Sequence, residues 1–276
     1  RRGVDDAFVG IRNAVGATAS TMLPTVTRLT VGAEHQNYWY FDEPDDSRLV
    51  NTRDRLHAAL VSERETMRFK PYTTFQTWTT DRIGGWRKEA HAGLFGPVTD
   101  NIDLLSDVGY FWGERNYDSL LWRLRAVHRP HPRMTHSIQY SKTITELEEE
   151  TRESLIYRLR YQFSDDLRAE LFLERSEFDS FEVAGIASEE KRAGIRFTYD
   201  LAQRTTLRLG TVYTQIDTES PRSPDIEKWT SRVEILYRYT ATVHARLMYQ
   251  HEIRDSNQPL DSYEENLVLA VLTKYF

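Results

Sequence analysis

Arginines recur at alternate positions through much of the chain: Arg123 and Arg125 in SLLWRLRAVH, Arg158 and Arg160 in ESLIYRLRYQF, then Arg196, Arg208, Arg238 and Arg246 in later stretches of the same texture. A guanidinium keeps its charge at any physiological pH and offers its donors in a flat fork. A wall of them concentrates anions and replaces part of their hydration, which is the chemistry of an anion-selective pore lining. Acids share these alternating positions. Arg168 lies near Glu170 and Glu174, and Arg232 and Arg238 flank Glu234. That spacing allows a structural chemistry instead, in which Arg and Glu pair as salt bridges that fill and stiffen a narrow wall. Both stay open, with some positive excess left after pairing.

Catalytic and metal chemistry have less to stand on. No GxSxG is present, and the nearest nucleophile–base pair, His251 and Ser256 in YQHEIRDSNQ, is explained by chance proximity of common surface residues. The chain is therefore expected not to be an enzyme. His128 and His131 flank Pro130 without a carboxylate nearby, which describes a turn and no metal site. The acidic run TELEEET (145–151) is expected to be a solvated external loop, able to meet lipopolysaccharide through calcium or magnesium. With no cysteine, disulfides, thiolate metal sites and thiol nucleophiles are all excluded. Glycine-rich phosphate loops are absent too, so no cofactor is expected. A net charge of −6 gives no footprint for nucleic acid.

The elements that would carry those arginines are strands. Mean hydropathy is −0.60, and no apolar run approaches the eighteen or so residues of a spanning helix. A membrane barrel escapes that test, because only alternate residues of its strands meet lipid. From residue 119 onward, stretches of about ten residues alternate apolar and polar: 119–128, 153–163, 167–175, 192–200, 206–215, 232–239 and 243–252. That length suits a tilted transmembrane strand. One face carries Leu155, Tyr157, Leu159 and Tyr161 or Ala193, Ile195, Phe197 and Tyr199, with no charge; the other carries the arginines and acids. Connections alternate between short (129–133, 164–166, 202–205, 240–242) and long (143–152, 176–191, 216–229, 253–264), as periplasmic turns and external loops do.

The first third is less regular. Residues 6–20, 27–41, 51–64, 67–80 and 101–114 read as strands, and with those that follow the count is about 14, within 12–16. The stretch 81–100 is too long for a periplasmic turn, so it holds either another strand or an inward-folded constriction. The fold class expected is all-β: residues 1–276 as one closed, up-and-down antiparallel transmembrane barrel. The opening RRGVDDAFVG shows no signal peptide, so export would make this a processed chain.

With these features in view the chain resembles a broad, porin-like group of Gram-negative outer-membrane β-barrel proteins, some of them associated with surface-polysaccharide export. The residues that carry the resemblance are YTQIDTES, HRPHPRMTHSIQYSKT and the ending DSYEENLVLAVLTKYF. The resemblance implies a bacterial outer-membrane location, lipid and lipopolysaccharide as neighbours, and a terminal strand read by the barrel-assembly machinery, with Phe276 as that signal. The family often has Tyr two places before the final Phe, where this chain has Lys274. Two functions are expected as alternatives. One is a transport channel passing small or polymeric anionic solutes, such as an acidic saccharide. The other is a non-conducting structural or docking barrel that anchors periplasmic or cell-surface partner proteins.

Overall fold

A computed structural model describes residues 9–41, 49–80, 85–113, 118–144, 150–180, 187–218, 225–240, 242–258 and 261–274. Alternating sequence becomes strand after strand: β1 (Val9–Leu23), β2 (Thr27–Phe41), β3 (Leu49–Ser62), β4 (Lys70–Thr80), β5 (Arg87–Thr99), β6 (Ile102–Trp112), β7 (Asp118–His131), β8 (Met134–Ile144), β9 (Glu150–Gln162), β10 (Leu167–Ser180), β11 (Ala187–Ala202), β12 (Thr205–Thr218), β13 (Ile226–Arg238), β14 (Val243–Ser256) and β15 (Tyr263–Lys274). They hydrogen-bond in chain order as one antiparallel, up-and-down sheet of fifteen strands. The strand beyond the fourteen expected is β5, which occupies the 81–100 stretch. No helix among the described residues is long and apolar enough to cross a membrane.

The chain packs as two compact units, residues 1–97 with 105–122 and residues 98–104 with 123–276, called here the first and second units. Within each the register is regular over long runs, with a shift between β11 and β12 at Asp200 and Ala202. In the second unit Leu159 opposes Leu171, which opposes Ile195, and Leu207 opposes Ile235, which opposes Leu247. Because side chains alternate across a strand, such rows give one apolar face and one polar face.

The sheet is apolar on the side that meets its surroundings. Leu155, Leu173, Phe197, Leu209, Ile235 and Leu247 in the second unit, and Val31, Leu56, Leu60 and Phe75 in the first, are all exposed. Among the described residues the only buried hydrophobic side chains are Trp78, Phe111, Leu121 and Met248. A chain this long in water would bury far more, so the exposed face needs an apolar solvent. Charges bound that belt. Arg175 opposes Lys191, Lys191 opposes Gln215, and Gln215 opposes Glu227, forming one transverse polar row on the same face. Lys191 bridges Glu189 at 2.8 Å and Asp217 at 3.2 Å just beside it.

This row explains why strands run into segments expected to be long loops. β8 ends at Ile144 and β9 begins at Glu150; β11 starts at Ala187 and β13 at Ile226. Strands of 13–16 residues exceed the 9–11 or so that cross a bilayer. Above the belt both faces are polar, so hydropathy stops alternating while backbone pairing continues. At the chain's end, the backbone of Lys274 pairs with Val243; Phe276 lies outside the described residues.

Candidate functional site

The polar face of the second unit collects the arginines. On β7, Arg123 and Arg125 alternate with the exposed Leu120 and Leu124. On β9 to β14 the even-numbered residues share the polar face, and the register sets them in rows: Arg160, Glu170, Arg196, Gly210, Arg232 and Gln250 oppose one another in turn across six strands. The next row holds Arg168, Thr198, Arg208, Glu234 and Met248. Arg158 lies opposite Phe172 in the adjoining row, and nearer the strand ends of the same face are Arg238 and Arg246. A cavity of about 650 Å³ opens on this face, with Arg192, Arg196, Arg208, Lys228 and Arg232 along it against the carboxylates of Glu190, Glu234 and Glu252.

Ion pairing here is mainly cross-strand, with Arg192 and Glu190 on β11 at 3.7 Å as a same-strand pair. Glu170 binds Arg160 at 2.5 Å, Glu174 binds Arg152 at 2.5 Å and Arg192 at 3.7 Å, and Glu234 binds Arg208 at 3.0 Å with Arg246 at 3.9 Å. Glu170, Glu174 and Glu234, named from the sequence with Arg168, Arg232 and Arg238 as members of ladders between neighbouring strands, take Arg160, Arg152 and Arg208 as their nearest partners. Residues two apart on one strand are separated by two rises of about 3.3 Å, whereas opposed residues on neighbouring strands approach to about 5 Å. Arg168 instead approaches Asp200 at 3.9 Å, and Arg232 donates to the neutral Gln250 at 2.5 and 3.2 Å. Arg160, Arg208 and Arg246, expected as free lining, are the ones that meet acids. Arg125, Arg158, Arg196 and Arg238 are exposed, and their side chains form no ion pair or hydrogen bond among the described residues.

The polar face of the first unit is filled. Arg55 donates to Gln76 at 2.5 Å, Gln76 donates to Glu89 at 3.0 Å, and Glu89 bonds one ring nitrogen of His91. The other ring nitrogen meets Asp107 at 3.0 Å, and Asp107 also accepts the Tyr72 hydroxyl at 2.6 Å. Glycines make the room. A Cβ on Gly109 would lie 2.5 Å from His91 Cε1, and one on Gly93 would lie 2.6 Å from Asp107 Cβ. Beside this chain of bonds Trp78 packs on Phe111 with ring centroids 5.9 Å apart, and Arg87 is wholly buried.

Among the other candidates, His251 and Ser256 sit five apart on β14 and so project to opposite faces; His251 bonds Asn266 at 3.0 Å instead. His128 stacks on His136 at 6.0 Å, and His136 bonds the Tyr157 hydroxyl at 2.7 Å, on the apolar face. Among the described residues no group of His, Cys, Asp and Glu is arranged to hold a metal. Sequence reasoning missed Arg152, Glu190 and Lys228, which it had left in loops, and the whole Tyr72–Gln76–Glu89–His91–Asp107 cluster. Period-two spacing carried past the last apolar residue would have found the first three.

An apolar outward face, a charged inner face and consecutive antiparallel strands define an outer-membrane β-barrel fold. No family model matches the sequence, and no curated protein is similar to it. Solved structures share the fold. The chain is similar to OmpT, an outer membrane protein of Vibrio cholerae, at 10% identity over 96% of both chains with a TM-score of 0.50. It is also similar to the FrpB iron transporter of Neisseria meningitidis, at 8% identity and a TM-score of 0.56, and to FpvAI in its complex with pyocin S2, at 10% identity and 0.52. This chain spans 57% of the length of each of those two. The bacterial outer membrane, where such folds reside, is the location read from the sequence.

Proposed function

We propose that this protein is a passive, non-enzymatic outer-membrane channel for anionic solutes, small or polymeric, with acidic saccharides as the natural class. The observation that carries this is the set of exposed, unneutralised arginines on the polar face, Arg125, Arg158, Arg196 and Arg238. Uncompensated guanidiniums in a confined aqueous path raise the local concentration of anions and exclude cations. The paired ladders of Glu170, Glu174 and Glu234 hold the wall between them. Around the belt we propose contact with lipid and, at the rim of Arg175 and Lys191, with lipopolysaccharide; assembly would use the barrel-assembly machinery. Planar-bilayer recording under a salt gradient tests the channel. An anion-selective current, reduced in a variant with Arg125, Arg158, Arg196 and Arg238 all changed to Gln, is expected; no open current, or cation preference unchanged by that variant, would sink it.

A second reading is a non-conducting barrel that anchors a periplasmic or surface partner. What favours it is the filled polar face of the first unit, where Asp107, Arg87, Trp78, Phe111 and Leu121 are all buried.

A further inference from the structure

We infer that the second unit carries a discrete oxyanion site at Gly210, taking one carboxylate, sulfate or phosphate group of a solute between Arg196 and Arg232. The inference rests on the anion-channel reading for the use of the site, and on geometry for its existence. Gly210 lies between Arg196 on β11 and Arg232 on β13, directly opposed to both. Strands lie about 4.8 Å apart, so the two arginine backbones are on the order of 10 Å from each other, and both guanidiniums can reach a group seated over the glycine.

The missing side chain leaves that seat open. A Cβ on Gly194, one strand away, would lie 2.5 Å from the Phe172 ring, because the ring already covers that position. The atoms nearest a Cβ on Gly210 would be backbone and the base of its neighbour: Ile195 O at 3.2 Å and Arg196 Cα and Cβ at 3.7 Å. No side-chain end from another strand is among the three atoms nearest that position, and Gly210 lines the cavity of about 650 Å³.

Charge at the seat is net positive: Glu170, which directly opposes Arg196 on β10, is bound by Arg160 at 2.5 Å. Glu234, the nearest acid on β13, binds Arg208 at 3.0 Å. Glu252 accepts from Tyr263 at 2.7 Å and from Thr230 at 3.1 Å, with Lys228 at 3.6 Å. Arg196 has no partner among the described residues, and Arg232 has only the neutral Gln250. Two guanidinium forks beside an empty glycine position match the several acceptor oxygens of a compact oxyanion, and charge-assisted bonds of this kind are the strong ones. The neutral Gln250 holds the Arg232 fork in place without cancelling its charge. A solute carrying repeated anionic groups would then be held one group at a time, firmly enough to enter and weakly enough to leave.

The test uses the full chain folded in nonionic detergent, with the broadening of the chloride-35 resonance as the readout of anion binding and sodium sulfate as competitor. This measures binding whether or not a continuous path exists. Excess broadening relieved by sulfate is expected, with sulfate affinity falling about tenfold or more in R196Q and in R232Q, as loss of one charge-assisted bond implies. G210V should lower it comparably by filling the seat, and R196K, which keeps the charge but loses the planar fork, should fall between the parent and R196Q. R175Q removes the same charge from the outer rim and should leave sulfate affinity unchanged. Sulfate affinity unaltered by both R196Q and R232Q, or lowered equally by R175Q, overturns the site. Loss of binding in R196Q alongside an absent bilayer current would sink the channel and leave the site standing; an anion-selective current with sulfate affinity unaltered by R196Q and R232Q would do the reverse.

Discussion

Each unit has an exposed apolar face, and the polar faces of the two units are of opposite kinds. In the first, polar side chains are spent on each other: from Arg55 through Gln76, Glu89, His91 and Asp107 to Tyr72 each group has a partner, and Asp107 is wholly buried. In the second, acids are saturated while several arginines face open space. Glycine serves each differently. Gly109 exists to admit the His91 ring, whereas Gly210 admits nothing from the protein itself. The lesson is that an identical strand pattern can build either a brace or a binding wall, and the choice lies in whether luminal charges are matched strand to strand.

The largest expected effect breaks the brace. Asp107→Ala strands the Tyr72 hydroxyl and one His91 nitrogen in a buried setting, at a cost of about 3–5 kcal/mol, measured as unfolding free energy in denaturant from lipid vesicles. The apolar belt should show no such asymmetry. Leu56→Arg in the first unit and Phe197→Arg in the second should each cost about 2–4 kcal/mol by the same measurement, since each puts a charge against hydrocarbon. A large difference between them would mean that the outer faces are not equivalent.

A closer comparison sets one glycine against the other. Gly109→Ala drives a methyl into the His91 ring and should cost about 1–3 kcal/mol, while Gly210→Ala should be within about 0.5 kcal/mol of the parent. Equal costs would mean the second unit is packed as the first is. The smallest effect is in salt. Raising ionic strength from about 0.1 to 1 M shrinks the Debye length from about 10 to 3 Å, so any anion preference arising from unpaired arginines should weaken without a change in stability.

Much of this was legible in the sequence, and the limits have physical causes. β9 to β14 could be read because an uncharged face runs between Leu155 and Phe163 or Ala193 and Leu201, and the arginines named on these strands fall on the opposite face by the same alternation. The first unit read poorly because Trp78, Phe111 and Leu121 place apolar groups on the polar face, which erases the contrast that alternation depends on. β5 stood as only one of two alternatives for a related reason: Arg87, Glu89 and His91 alternate with Lys88, Ala90 and Ala92, a pattern too small and too polar to mark a lipid face. Partners within the wall were not legible. Which acid Arg208 or Arg168 meets is decided by inter-strand register, and hydropathy does not encode register between strands separated by a variable loop.

Ion selectivity tests the central claim most directly. With the folded chain in a planar bilayer under a tenfold gradient of potassium chloride, the reversal potential should lie on the chloride side of zero and move toward zero when Arg125, Arg158, Arg196 and Arg238 are all changed to Gln. A reversal potential on the potassium side that this replacement leaves unmoved, or no current at all, would contradict it.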